Sequence, residues 1–270
     1  MGRGKIIKLN HETTFYYELA IEPAQQTFYS HCHNAYEIIL FIDGDGDYFI
    51  ENNIYSPQKN DLFIVKPAQY HFLRLNSCKK YERFIINFSE NLIPEHLIPF
   101  LRTGKQLFHL NENRALADRF FTLDECAKTF DDEDIKLFFR SFLHELIVRL
   151  KNLNAPNEKN TAISLPLLDN AIHYINEHIS APLSLRSIAQ ALFVSESTLA
   201  HAFPRYLNVS IMKYVRSKKI LYGQSLIQSG IKPTKACQMC GFATYIAFYK
   251  AYKTILNTTP EHDLPRKNSP

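Results

Sequence analysis

The sequence predicts a multidomain α+β protein, β-rich at its N-terminal end and all-helical at its C-terminal end. Three observations carry this reading. Short strand-like runs recur through roughly the first 90 residues, the apolar period then becomes helical, and the last stretch repeats one helical layout twice.

The strand-like runs are TFYYELAI (14–21), YEIILFI (36–42), DYFIENN (47–53), DLFIVK (61–66), YHFLRL (70–75) and YERFIINF (81–88). Turn-forming stretches separate them: DGDGD at 43–47, SPQKND at 56–61 and KPAQ at 66–69. Such spacing predicts a sandwich or barrel over residues 1–90.

From 91 to 153 the expectation is helical. ENRALADRFFTLDECAKTF (112–130) is amphipathic, and over 132–152 Ile135, Phe138, Phe139, Phe142, Leu146, Ile147 and Leu150 recur at helical spacing. The acidic run DDED (131–134) complements the dipole at a helix start. KNLNAPNEKNTAIS (151–164) is polar, Asn-rich and holds a proline. It reads as a linker, placed at 154–166, ahead of a second domain over 167–270.

Bulk properties narrow the class. A chain of 270 residues can build two cores. Its longest apolar runs, such as IILFI at 38–42, are too short to span a bilayer. MGRGKIIKLN has no apolar stretch of the secretory kind, so no signal peptide is expected. Cys32, Cys78, Cys126, Cys237 and Cys240 are odd in number and scattered, which suits reduced thiols and a cytoplasmic location. Residues 1–164 hold 19 Lys and Arg against 22 Asp and Glu, a net −3, whereas 165–270 hold 12 against 5, a net +7. A basic module of this kind suits a polyanion partner.

The duplicated units are LSLRSIAQALFVSESTLAHAFPRYL (183–207) and IKPTKACQMCGFATYIAFYKAYKTIL (231–256). Each shows a short helix with a small residue at mid-element (Ala189, Cys237), a tight turn, and an N-cap Ser195 or Thr244 before a longer helix. With MKYVRSKKILYGQSLIQSG (212–230) between them and GFATYIAFYKAYKTILNTTPEH at 241–262, residues 167–264 resemble the DNA-binding domain of AraC/XylS-type transcriptional regulators. That resemblance implies two helix–turn–helix units joined by a linker helix, reading double-stranded DNA.

On the first recognition helix, Leu199 and Phe203 are expected to face inward, leaving Ser197, Ala200 and His201 for bases. On the second, Phe248 and Tyr252 are the inward pair, leaving Tyr245, Ile246, Tyr249 and Lys250. Lys250 can reach guanine edges or a phosphate, and Ile246 or Ala200 a thymine methyl. Arg205, Arg216, Lys218, Lys219 and Lys253 are expected to contact phosphates.

Three positions depart from the family pattern. Phe193 stands where such turns usually have glycine, Asp263 replaces the aromatic after Thr-Pro, and Pro204 lies inside the first recognition helix, where it is expected to kink or shorten it. Cys237 and Cys240 form a CQMC stretch that could be a redox pair or half a zinc site. They occupy positions the family fills with small core residues, so packing is the expected role.

The stretch HCHNAYE (31–37) looks like a metal site: three imidazoles and a carboxylate, from His31, His33, Glu37 and His71, suit Fe, Mn, Ni or Zn. From the histidines through Gly44 it resembles the first cupin motif, with Gln25 where a glycine usually precedes, and NDLFIVKPAQYH (60–71) resembles the second, with Asn60 and Ala68 where glycines are usual. The resemblance implies a cupin-like barrel of the sort AraC-type regulators carry as a sensor, with His31, His33, Glu37, Phe41 and His71 facing a small-molecule effector. Plain barrel packing and a bound metal stay open beside this. The helices at 112–130 and 132–152 sit where the family places dimerisation helices, assigning Ile135, Phe138, Phe142, Leu146 and Leu150 to a homodimer. The alternative is that they cover the barrel.

The expected function is therefore a bacterial, sequence-specific transcription regulator that binds repeated half-sites and senses a small molecule, a sugar being one class. It is no enzyme, has no catalytic residue and no resident cofactor, and contacts RNA polymerase if it activates. The alternative is a metal-dependent cupin enzyme or metal sensor.

Overall fold

A computed structural model describes residues 2–3, 7–10, 13–21, 30–77, 80–153 and 163–265. Cys78, Gln25 and most of the expected linker (154–162) lie outside them. The chain forms two compact units, one mainly within residues 1–163 and the other mainly within 164–270.

The first unit holds β1 (Gly2–Arg3), β2 (Ile7–Asn10), β3 (Thr13–Ala20), β4 (Tyr36–Asp43), β5 (Gly46–Ile50), β6 (Asn53–Tyr55), β7 (Asp61–Val65), β8 (His71–Leu75), β9 (Tyr81–Phe88) and β10 (Leu107–His109). One sheet runs β1-β3-β9-β4-β7-β10, with β2 also on β3, and the other includes β6-β5-β8 in that order. The pairings that set this architecture are antiparallel, with Glu18 opposite Arg83 on β3–β9 and Phe49 opposite Phe72 on β5–β8.

The register explains why YEIILFI shows so little alternation. Ile38, Leu40 and Ile42 of β4 enter one core, while Ile39 and Phe41 enter another. The first core is shared with Leu62 and Ile64 of β7, Phe84, Ile86 and Phe88 of β9, and the covering helices. The second lies between the two sheets and takes Tyr48, Ile50, Tyr55, Phe63, Val65, Leu73, Leu75 and Tyr81. A strand buried on both faces reads as a continuous apolar run.

The covering helices are α1 (Ile98–Thr103), α2 (Arg114–Thr129) and α3 (Asp132–Asn152). Asp131 caps α3, its carboxylate accepting from the amides of Glu133 and Asp134 at 2.9 Å each. Two expectations change here. β10 pairs with β7 well beyond residue 90, so the sheet does not end where the strand-like runs end. Ile135, Phe142, Leu146 and Leu150, assigned to a dimer contact, lie instead in the core that α2 and α3 share with the sheet. Phe138 is half-buried against the Phe130 ring, 5.7 Å away. An amphipathic stripe shows that a face is buried, and here the chain's own sheet buries it.

The second unit contains α4 (Pro166–Glu177), α5 (Leu185–Ala191), α6 (Glu196–Leu207), α7 (Ile211–Gln228), α8 (Pro233–Met239) and α9 (Tyr245–Leu256). The α5/α6 and α8/α9 pairs are the two helix–turn–helix units. Their longer helices match: each has 12 residues, begins at a side-chain N-cap (Ser195, Thr244) and ends at a left-handed asparagine (Asn208, Asn257, φ 54). α6 runs through Pro204 to Leu207, so the proline does not shorten it. Both Pro204 and Ala200, whose carbonyl loses its i+4 donor, are exposed, which lets water replace the missing hydrogen bond.

Phe193 and Gly241 occupy the same turn position, with φ of 56° and 67°. Cys237 and Cys240 lie in the core of the second helix–turn–helix unit with Ile220, Ile227, Phe248 and Tyr252. Burial raises both thiols, Cys240 to about 12, which suits packing rather than thiolate chemistry. Asp263 accepts from Tyr252 at 2.6 Å and from Gln224 of α7 at 2.9 Å. A carboxylate thus anchors the C-terminal segment where an aromatic would have packed.

Candidate functional site

The two recognition helices present the faces that their spacing predicts. Leu199 and Phe203 of α6, and Phe248 and Tyr252 of α9, are fully buried. Ser197, Ala200, His201 and Arg205 on α6 are exposed, as are Ile246, Lys250 and Lys253 on α9. Ile246 is 68% exposed, although it is a β-branched apolar residue on the first turn of its helix. His201 bonds within α6, its Nδ1 lying 2.7 Å from the Ser197 carbonyl, so its Nε2 edge points outward for an acceptor or donor.

Four expected contacts come out differently. Tyr245 turns partly inward: its ring lies 6.1 Å from Phe248 and its hydroxyl donates to Glu261. Burial first, then that hydrogen bond, raises its phenol above the usual range. Tyr249 is half-buried, its ring 6.3 Å from Tyr245. On α7, Arg216 is exposed but Lys218 and Lys219 are buried. Lys218 sits over the Tyr214 ring at 5.3 Å, and Lys219 donates to the carbonyls of Ala181 and Cys240 at 2.6 and 2.7 Å. Burial holds the Lys219 ammonium below its usual range. These two lysines belong to the packing of the linker helix and not to a phosphate-facing surface. The net charge of the segment could not distinguish them from Arg216.

The ligand atoms of His31, His33, Glu37 and His71 all lie within 4.8 Å of one another. His31 is exposed, His33 half-buried, and Glu37 and His71 buried. His71 Nε2 lies 3.2 Å from a Glu37 oxygen, and its Nδ1 lies 3.0 Å from the Gln69 carbonyl. Four donors set tetrahedrally about 2.1 Å from one ion lie about 3.4 Å apart. The donor types suit a transition ion, and a separation of 4.8 Å would have to close by about 1.4 Å on binding. Phe41, the remaining expected effector residue, packs in the core between the sheets, 6.1 Å from Tyr81.

A second polar group was not anticipated. Arg83 of β9 donates to Glu18 of β3 from Nε and Nη2 at 2.9 and 2.8 Å, and from Nη1 to the Tyr48 hydroxyl at 3.3 Å. Tyr48 in turn bonds Tyr81. Burial raises both phenols above their usual range. The signal lay in the strand alternation, because Glu18 and Arg83 occupy the same phase as the inward Ala20 and Tyr81.

A β-rich unit of this kind joined to a helical unit with two exposed recognition helices defines a ligand-sensing, DNA-binding regulator. Residues 15–143 match the family of AraC-like ligand-binding domains, and residues 188–265 match a helix–turn–helix domain family. An AraC-like ligand-binding domain followed by a helix–turn–helix domain is the arrangement of AraC/XylS-type transcriptional regulators, with which the chain is consistent. It is 22% identical over 251 residues to the HTH-type transcriptional activator RhaR of Salmonella arizonae, covering 87% of this chain and 86% of that protein. It is 22% identical over 241 residues to the uncharacterized regulator YfiF of Bacillus subtilis, covering 85% and 76%. With the xylose operon regulatory protein of Escherichia coli K12 the likeness is 27% over 97 residues, 36% of this chain and only 25% of that protein. Among the described residues, no helix is long and apolar enough to cross a membrane.

Proposed function

We propose that this regulator acts in the cytoplasm as a homodimer on repeated DNA half-sites, each chain reading adjacent major-groove segments with α6 and α9. The observation that carries this reading is the match between the helices: each buries its inward aromatic fully and leaves a face of short, polar or aliphatic residues exposed. Ser197, Ala200 and His201 read bases from α6, and Ile246, Tyr249 and Lys250 from α9, with Tyr245 supporting Tyr249 from behind. Arg205, Arg216 and Lys253 engage phosphates. A small molecule held in the N-terminal unit by Glu37, His71 and their neighbours shifts the population competent for both half-sites. An activating role would add contact with RNA polymerase. No catalytic step is assigned.

Dimerisation, on this reading, uses the outer face of α3, where Leu137 is 66% exposed and Val148, three helical turns on, is also exposed. The four-residue cluster favours one variation, in which the sensed species is a transition metal ion held by His31, His33, Glu37 and His71. Metal content of chelator-free protein, compared with His33→Ala, decides between the two: a full equivalent lost in the variant favours metal, and neither protein retaining added Fe, Mn, Ni or Zn favours an organic effector.

The main reading is tested by fluorescence anisotropy on duplexes that the protein enriches from a random library. Tyr249→Ala with Lys250→Ala is expected to weaken the selected duplex by tenfold or more, on the order of one bidentate base contact, and scrambled duplex much less. Equal losses on both would remove base reading from α9.

A further inference from the structure

We infer that Lys219 is a positioning residue which fixes the two helix–turn–helix units against each other and so sets the spacing of the DNA elements that one chain accepts. The inference rests on the DNA-binding reading and extends it to a residue that touches no DNA.

Lys219 lies on α7, the helix that joins the units, and its side chain is 6% exposed. Its ammonium donates to Cys240, the C-cap of α8 in the second unit, and to Ala181, in the segment that leads from α4 into α5 of the first. Both acceptors are main-chain carbonyls, so the lysine grips the backbone of each unit rather than a movable side chain. The Cys240 carbonyl closes α8, where helix carbonyls lack intrahelical donors and a cation is favourable.

The neighbouring glycine marks the same junction independently. A Cβ on Gly241 would stand 2.5 Å from the Ser180 carbonyl and 2.9 Å from Lys219 Nζ. Backbone from the first unit's lead-in therefore meets the turn of the second unit directly, with the lysine ammonium closing the contact. Gly241 begins the turn that ends at Thr244, the N-cap of α9, and Ala181 precedes Ser184, the N-cap of α5. Short, capped connections carry the placement from this junction to α6 and α9.

Spacing is sensitive to such placement. One added base pair moves a DNA element about 3.4 Å along and about 35° around the duplex. Two rigidly held helices reject that displacement, whereas two loosely joined ones follow it at small cost.

The test is selection from duplexes carrying a 30-base-pair random segment, run separately with the full-length wild type and with Lys219→Met, which keeps the stem and removes the donor. The wild type is expected to return two elements at one spacing. Lys219→Met is expected to return the same two elements at several spacings, and its preference for the wild-type spacing over one shifted by a base pair should fall about tenfold, the effect of one charged hydrogen bond. Affinity for a duplex with a single element should change less than twofold. Unchanged spacing preference in folded Lys219→Met overturns the proposal. If Lys219→Met does not fold, Gly241→Ala makes the same test, because its Cβ pushes the same backbones apart. Failure of both variants to fold would assign the junction to stability alone and also overturn the proposal. A wild type that enriches no sequence would instead refute the DNA-binding reading.

Discussion

Phe193 and Gly241 hold one turn position in the two repeats, and substitution there should move stability in opposite directions. Phe193 has φ of 56° and is 97% exposed. A left-handed residue with a Cβ costs about 1–2 kcal/mol, a penalty glycine escapes. Removing the ring forfeits almost no burial, since nearly all of it already faces water. Against this gain, glycine loses more chain entropy on folding, about 0.5–1 kcal/mol. Phe193→Gly should therefore stabilise the helical unit by about 0.5–1 kcal/mol, a rise of a few degrees in Tm for a unit of this size. Gly241→Ala keeps a backbone hostile to Cβ and drives it against the Ser180 carbonyl, so a loss of about 2 kcal/mol is expected. Calorimetry and urea unfolding of the full chain, followed by helical circular dichroism, read both changes. If Phe193→Gly lowered stability by 1 kcal/mol or more, the ring would be making a contact that its exposure denies, and the reasoning would fail.

The remaining predictions concern buried polar groups. Arg83→Met strands Glu18 between the sheets, and calorimetry should show a loss of about 3–5 kcal/mol, partly recovered by adding Glu18→Gln. Asp263→Ala leaves the Tyr252 hydroxyl and the Gln224 amide without their acceptor, and urea unfolding should register about 2 kcal/mol. The Tyr48 and Tyr81 phenols are raised chiefly by burial, so the folded state keeps protons that the unfolded chain loses above about pH 10. Their contribution is constant below that pH and is lost as pH climbs beyond it. Tyr48→Phe should flatten that alkaline decline in pH-dependent unfolding; an unchanged slope would place the titration elsewhere.

Much of this was legible in the sequence where one local rule governs. Ser195 and Thr244 are N-caps because a hydroxyl ahead of a helical period satisfies amides of the first turn. Leu199 with Phe203, and Phe248 with Tyr252, are buried because four-residue spacing places them on one face. The metal-capable cluster could be read too, since three of its members fall within seven residues. What escaped depends on partners distant in the chain. The Glu18–Arg83 pair needs the β3–β9 register, and β10 is three residues whose strand character comes from pairing with β7. Lys218 and Lys219 carry the same composition as surface lysines, and only the neighbours of α7 bury them. The stripe on α3 announced an apolar contact without saying which surface receives it.

The most direct test of the central claim is hydroxyl-radical footprinting of a selected duplex with wild type, with Ser197→Ala/His201→Ala on α6, and with Ile246→Ala/Lys250→Ala on α9. The account predicts two protected segments per chain about one helical turn apart. The α6 variant should lose protection and base preference at one segment and the α9 variant at the other. A single segment, or equal weakening of both by either variant, would contradict the assignment of the two helices to separate stretches of DNA.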